Sequence, residues 1–204
     1  MKWAELADEN TVKRTGESLK ARGVQVDFMQ NKEDALKRLL DLIPLGAEVM
    51  TGSSTTLQEI GFVDLLKSGK HPWKNLKEAI VKEKDPAKQM ELRKKSVTSE
   101  YFLGSVHAVT QTGEVIIASK TGSQLPSYAY SSNNVIWVVG VQKIVLDLAE
   151  GLQRIWEYCL PLEDKTMKQA GFKGSAIGKI LIFEKENLPN RRIILIFVAE
   201  KLGF

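Results

Sequence analysis

The stretch Ala47-Glu48-Val49-Met50-Thr51-Gly52-Ser53-Ser54-Thr55-Thr56-Leu57 decides the fold class. Ala47 to Met50 reads as a short strand. A glycine and a run of hydroxyls follow, and Thr55 or Thr56 then opens a helix that continues through Leu66. Upstream, residues 4–21 read as a mostly exposed helix. After Gly23, Val24-Gln25-Val26-Asp27-Phe28 alternates apolar and polar as a strand does. Asn31 is placed to cap a helix whose apolar face is Ala35, Leu36, Leu39, Leu40 and Ile43, and Pro44 ends it. Helix, strand, helix, strand, helix implies a parallel sheet with helices on its faces and right-handed crossovers.

Downstream the texture changes. Residues 74–100 are charged and helical, with Asp85-Pro86 as N-cap and first helical residue. From Tyr101 the pattern is β: Val106–Thr110 and Glu114–Ala118 flank the hairpin signal Thr112-Gly113. Val135-Ile136-Trp137-Val138-Val139 is the continuous apolar run of a buried central strand. Val145, Leu148, Leu152, Ile155, Trp156 and Cys159 fall on one helical stripe, which makes Cys159 a packed thiol. Two further strands, Ile180–Phe183 and Ile193–Val198, close the chain. The expected fold is one α/β domain over residues 1–204. Its sheet is mostly parallel but mixed, helices cover both faces of the Val135–Val139 strand, and a charged helical segment occupies residues 67–100.

Composition bounds the chemistry. The 204 residues are 43% hydrophobic and 26% charged, a balance that supports a globular core and argues against disorder. A single cysteine rules out an internal disulfide framework and any all-cysteine cluster held by this chain alone. The two histidines, His71 and His107, have no metal-ligand spacing. No apolar run approaches the ~20 residues of a membrane span, and the opening residues lack an apolar signal core, so the expectation is a cytoplasmic protein with no membrane partner. The net charge is +4, and residues 67–95 hold ten Lys/Arg against four Asp/Glu. Acids interrupt that run and only Trp73 is interleaved, which favours a solvated helical face over a nucleic-acid surface.

Three segments carry candidate chemistry. Gly52, Ser53, Ser54, Thr55 and Thr56 lie between the end of a strand and the start of a helix, where open α/β sheets bind ligands. Glycine lets the backbone approach a ligand, and the hydroxyls and first-turn N–H groups suit a phosphate or carboxylate. The same residues fit a capping box, Thr55 with Gln58 or Thr56 with Glu59, and the two readings are compatible. No Gly-Lys-Ser/Thr follows the glycine, and no G-x-G-x-x-G occurs at this turn. The second segment joins Thr112, Gly113 and Glu114 at the hairpin tip to Gly122 and Ser123 after the next strand. Glu114 is its one candidate base or nucleophile, against the commoner case of a solvated turn glutamate, and His107 reads as structural. The third is Lys143, one turn beyond the central strand, either a point charge for a ligand phosphate or a surface lysine.

Together, Gly52-Ser53-Ser54-Thr55-Thr56-Leu57-Gln58-Glu59-Ile60-Gly61, Ala108-Val109-Thr110-Gln111-Thr112-Gly113-Glu114 and Asn134-Val135-Ile136-Trp137-Val138-Val139-Gly140-Val141-Gln142-Lys143-Ile144-Val145 resemble the LUD-domain family, named from lactate utilisation. The resemblance runs from about residue 10 to the end. It implies a fold like that of pentose-phosphate isomerases and CoA transferases, whose Gly/Ser/Thr loop holds a phosphate, and it carries only Gly52 to Thr56 onto this sequence. The function implied is an accessory or subunit in lactate or other organic-acid utilisation, binding a phosphorylated or CoA-like small molecule. Iron–sulfur proteins would then be partners, since this chain lacks the cysteines, and an oligomer is compatible. Two alternatives stand beside it: a self-sufficient isomerase or acyl/CoA transferase with Glu114 as the catalytic carboxylate, and a regulatory interaction protein using the basic 67–95 region.

Overall fold

The computed structural model describes residues 2–204. In chain order its elements are α1 (Glu9–Ala21), β1 (Gln25–Met29), α2 (Lys32–Leu42), β2 (Glu48–Thr51), α3 (Thr55–Glu59), α4 (Phe62–Ser68), β3 (Lys74–Asn75), α5 (Leu76–Lys82) and α6 (Pro86–Lys95). Then come β4 (Tyr101–Gly104), β5 (Ala108–Thr110), β6 (Val115–Ser119), β7 (Asn134–Gly140), β8 (Ile144–Val145), α7 (Leu148–Arg154), α8 (Leu160–Gln169), β9 (Lys179–Phe183) and β10 (Arg192–Val198). Local chemistry sets the helix starts. Asp8, Asn31 and Asp85 each accept a backbone N–H of the following turn with the side chain, and Pro86 opens α6 without wasting a donor.

The strands form two sheets. Six of them, ordered β1-β10-β7-β4-β2-β3, are parallel throughout. The other four, ordered β8-β5-β6-β9, are mixed, with β6 antiparallel to both β5 and β9. The single mixed sheet expected from sequence is thus divided, with the antiparallel pairings all in the second sheet. Alternation along the strands shows how the layers stack. Ile136, Val138, Ile194, Ile196 and Val198 face a core with Leu39, Leu57 and Phe62 from α2, α3 and α4. Val135, Trp137, Val139, Leu195 and Phe197 face the opposite way, onto Val115, Ile117 and Phe183 of the second sheet and Leu19 of α1. The far side of the second sheet, Ala108, Ile116 and Ala118, packs on Ile155, Tyr158 and Cys159. Helices therefore cover one face of the β7 strand, while the second sheet and α1 cover the other. A strand as apolar as Val135–Val139 needs both faces buried but does not say by what.

Three boundaries differ from the sequence reading. The first helix starts at Glu9, and Trp3 instead inserts its indole beside Tyr158 and donates to Glu150 at 3.3 Å. The helix expected to run through Leu66 breaks after Glu59. Gly61 sits there at φ 82°, a left-handed conformation open to glycine, and a new helix starts at Phe62. The stripe ending in Cys159 passes through a π-helical turn over Ile155–Cys159. Pro161 follows it, lacking an N–H and crowding the carbonyl of Glu157. The wider turn rotates Trp156 out to 52% exposure, while Cys159 stays buried.

Candidate functional site

The carboxyl ends of β2, β4, β7 and β10 are adjacent in the parallel sheet. The chain leaves them at Gly52, Ser105, Val141 and Ala199, and these exits meet. Lys143 Nζ lies 3.1 Å from both Thr56 Oγ1 and Ser105 Oγ. Thr56 in turn donates to the Leu202 carbonyl at 3.3 Å, to which Gln142 Nε2 also donates at 2.8 Å. Past these strand ends Thr56, Ser105, Gln142 and Lys143 tie the exits together through side-chain hydrogen bonds.

Over this edge opens a cleft of about 480 Å3, within the ~300–1,000 Å3 usual for small-molecule sites. Gly52, Ser53, Ser54, Thr55, Thr56, Ser123 and Lys143 all line it, so the first and third segments, and Ser123 of the second, are brought together. Gly122 stands next to the lining and shapes its loop. At φ 84° it turns the chain so that its own N–H donates to Ser119 Oγ at 2.9 Å. Thr112, Gly113 and Glu114 are absent from the lining. Their hairpin tip packs on α1, where Arg22 pairs with the Glu114 carboxylate, and Thr110 and Thr112 donate to it. Burial pushes that carboxyl up, but the Thr110 and Thr112 hydroxyls, its own backbone N–H and lastly the Arg22 guanidinium together hold it below the usual range. The placement moves Glu114 out of the candidate site, as a structural ion pair between hairpin and α1.

The helix start is also differently made. Ser54 is the cap, accepting from Leu57 N at 3.2 Å. No capping box forms: Gln58 donates to Asp64 at 2.8 Å and Glu59 accepts from Gly203 N at 2.6 Å. Ser54→Ala is therefore expected to cost about 1 kcal/mol of stability, with Thr55→Ala within about 0.5 kcal/mol of wild type. Urea melts of the two variants check this, and equal losses would relocate the cap.

Among the described residues four basic side chains line the cleft, Lys77, Arg93, Lys120 and Lys143, against one carboxylate, Glu163. Of these, sequence reasoning singled out only Lys143. Lys77 and Arg93 come from the basic 67–95 segment, which is thus not wholly a solvated face. α6 buries no residue, yet its Arg93 and the α5 residues Lys77, Ile80 and Val81 turn to the cleft. Lys77 donates to the Gly52 carbonyl at 2.9 Å and so braces the Gly/Ser/Thr loop. Burial lowers its pKa, and Arg93 and Lys67 add to this. Burial raises that of Glu163. Lys120 donates to the Gly174 carbonyl at 2.9 Å. His107 borders the cleft with Nδ1 accepting from Ala118 N at 3.1 Å, and burial, Lys143 and Arg154 push its pKa down to about 3. It is a neutral, structural histidine. Among the described residues no group of histidine, cysteine and carboxylate side chains is arranged to hold a metal, and no helix is long and apolar enough to cross a membrane.

The family model described as the LUD domain matches residues 12–198. A DUF162 family protein from Deinococcus radiodurans, known from a crystal structure at 1.70 Å, superposes with a TM-score of 0.57 and 12% identity, over 96% of this chain and 100% of that one. At that identity the likeness concerns the fold. A search of curated protein sequences gave no match.

Proposed function

The chain belongs to the LUD-domain family, and from that premise we propose that it binds a phosphorylated or CoA-like organic anion in the cleft at the carboxyl edge of its parallel sheet. Membership relates the protein to lactate utilisation in general. The observation that carries the proposal is the imbalance of charge in the cleft: three cations, Lys77, Arg93 and Lys120, with the Lys143 amine and a loop of small hydroxyl residues, around one carboxylate. Positive groups gathered in a concave, partly apolar site focus their field and favour an anion. The Gly/Ser/Thr loop adds neutral donors, and at Gly52 a side chain would meet only Gln124, at 3.8 Å, so a ligand has room to approach. The protein would act as an accessory or subunit in organic-acid oxidation, with electron transfer supplied by iron–sulfur partner proteins, because a chain with one cysteine holds no cysteine cluster.

Calorimetric titration with pyrophosphate, acetyl phosphate and acetyl-CoA tests the binding. Arg93→Gln and Lys120→Gln are each expected to weaken the tightest of these by about tenfold, the value of one charge-assisted hydrogen bond. Wild-type affinity should fall with added salt. Affinities unchanged in both variants would overturn the site.

A further inference from the structure

Going beyond that reading but resting on its anion site, we propose that Lys143 is a nucleophilic amine that condenses with the carbonyl of a small 2-oxo acid held in the cleft. Lys143 lies at the cleft wall, only 2% exposed, with Nζ fixed between the Thr56 and Ser105 hydroxyls at 3.1 Å each. Among the described residues it has no carboxylate within ion-pair distance. A buried lysine kept only for its charge would ordinarily be paired.

Behind it lies a second buried cation without an acid. Arg154 is 0% exposed. Its Nη1 donates to the His107 carbonyl and lies 2.8 Å from Cys159 Sγ, while Nε and Nη2 have no hydrogen-bond partner among the described residues. A guanidinium does not give up its proton in a protein, so of two buried cations without an acid the amine is the one that neutralises. Burial brings Lys143 to about 7, Arg154 pushes the same way, and Cys159 and Glu59 oppose it. His107, neutral, adds no charge of its own. Desolvation beside another cation is a general way to free a lysine amine for attack on a carbonyl.

The substrate class follows from the two halves of the site. The amine requires a carbonyl. The other cleft cations and the Ser/Thr loop require a carboxylate or phosphate next to it. In the reaction the Nζ lone pair forms a bond to the carbonyl carbon, and the C=O π pair moves to oxygen. The alkoxide gains a proton and the nitrogen loses one, a transfer the Ser105 hydroxyl is placed to relay. The hydroxyl takes up a second proton and leaves as water while the nitrogen lone pair completes the C=N bond, and the iminium nitrogen then gives up its remaining proton, so that none is gained or lost overall. The balance is amine plus carbonyl giving imine plus water, with no redox partner.

The test is reductive trapping of the full chain with pyruvate and cyanoborohydride, read by intact mass and peptide mapping. A single reduced adduct on Lys143 is expected, with labelling that rises through about pH 7, in line with the lowered amine pKa. Lys143→Arg should lose it, and Arg154→Met should move the pH midpoint of labelling upward. Labelling spread over exposed lysines with Lys143 unmodified, or equal labelling of Lys143→Arg, would overturn the proposal. Lactate and inorganic phosphate lack the carbonyl and report anion binding alone. If they bind and no adduct forms, the amine chemistry fails and the anion site stands. If the adduct forms and they do not bind, the anion site fails and the amine chemistry stands.

Discussion

Replacing Gly140 by alanine is expected to cost about 2–3 kcal/mol of stability and to abolish binding in the cleft. Gly140 ends β7 with an ordinary extended backbone, φ −66° and ψ 138°, so strain is not the reason. Space is. A methyl group there would lie 2.6 Å from the Glu200 carbonyl oxygen and 2.7 Å from the Leu202 nitrogen, and would also collide with the Gln142 side chain. Two of those neighbours are backbone of the segment that follows β10 and cannot swing aside as a side-chain tip would. Relief would require separating the exits of β7 and β10. That separation would break the Gln142–Leu202 and Thr56–Leu202 hydrogen bonds and carry Lys143 away from Thr56 and Ser105. Denaturant melts with an unchanged m-value, together with pyrophosphate titration of the folded variant, check both effects. A variant as stable as wild type, with wild-type binding, would mean that the β7 and β10 exits move apart freely.

The parts of this fold that were legible in the sequence are those written in local chemistry. Asn31 and Asp85 cap helices because a short acceptor side chain precedes a run of helix formers, and both lie in the stretch that specifies the element. Val135–Val139 had to be a central strand because no other element takes five consecutive buried apolar residues of this β-branched and aromatic kind. What covers its two faces is a long-range matter, and the strand carries no signal that separates a helix from a second sheet. The break at Gly61 was visible as a glycine, but a glycine inside a helical pattern does not announce whether it bends the chain or is merely tolerated.

The site divides the same way. Gly52–Thr56 and Lys143 stood out because each follows a recognisable strand, and the carboxyl edge of a parallel sheet brings such exits together wherever they lie in the sequence. Glu114 stood out by being a carboxylate near a turn, and what it does is set by Arg22, 92 residues earlier. Arg93, Lys77 and Lys120 were invisible as site residues, since a lysine that faces a cleft and one that faces water have the same local neighbours. The uneven charge of residues 67–95 was the one available signal. It located the excess of cations without saying which two turn inward.

Wild-type protein is expected to gain about 2 kcal/mol of stability between pH 7 and pH 9 relative to Lys143→Met. The sign follows from the lysine. Its folded pKa is lowered from 10.5 to about 7, so between these values the unfolded chain holds a proton that the folded chain has released. Stability rises with pH wherever the unfolded state binds more protons, at up to about 1.4 kcal/mol per pH unit for one group. Below pH 7 the ammonium is charged in both states and its burial cost is fully present, so the methionine variant should there be the more stable. Other groups slope too. The thiol of Cys159 and the hydroxyl of Tyr128 are raised by burial and lower stability at alkaline pH, and Lys77 acts in the same sense as Lys143. Tyr128 and Lys77 are common to both proteins and cancel in the difference, whereas the Cys159 thiol, which the Lys143 charge helps to hold down, is raised further once that charge is removed. His107 contributes in a separate window, its folded value of about 3 against an ordinary 6.5 making stability fall as the solution is acidified through that range. Denaturant melts at half-unit steps from pH 6 to pH 9 give the difference curve. Parallel curves would mean that Lys143 titrates as an ordinary lysine. A difference confined to this window would locate one proton, released on folding, at the carboxyl edge of the sheet where the cleft opens.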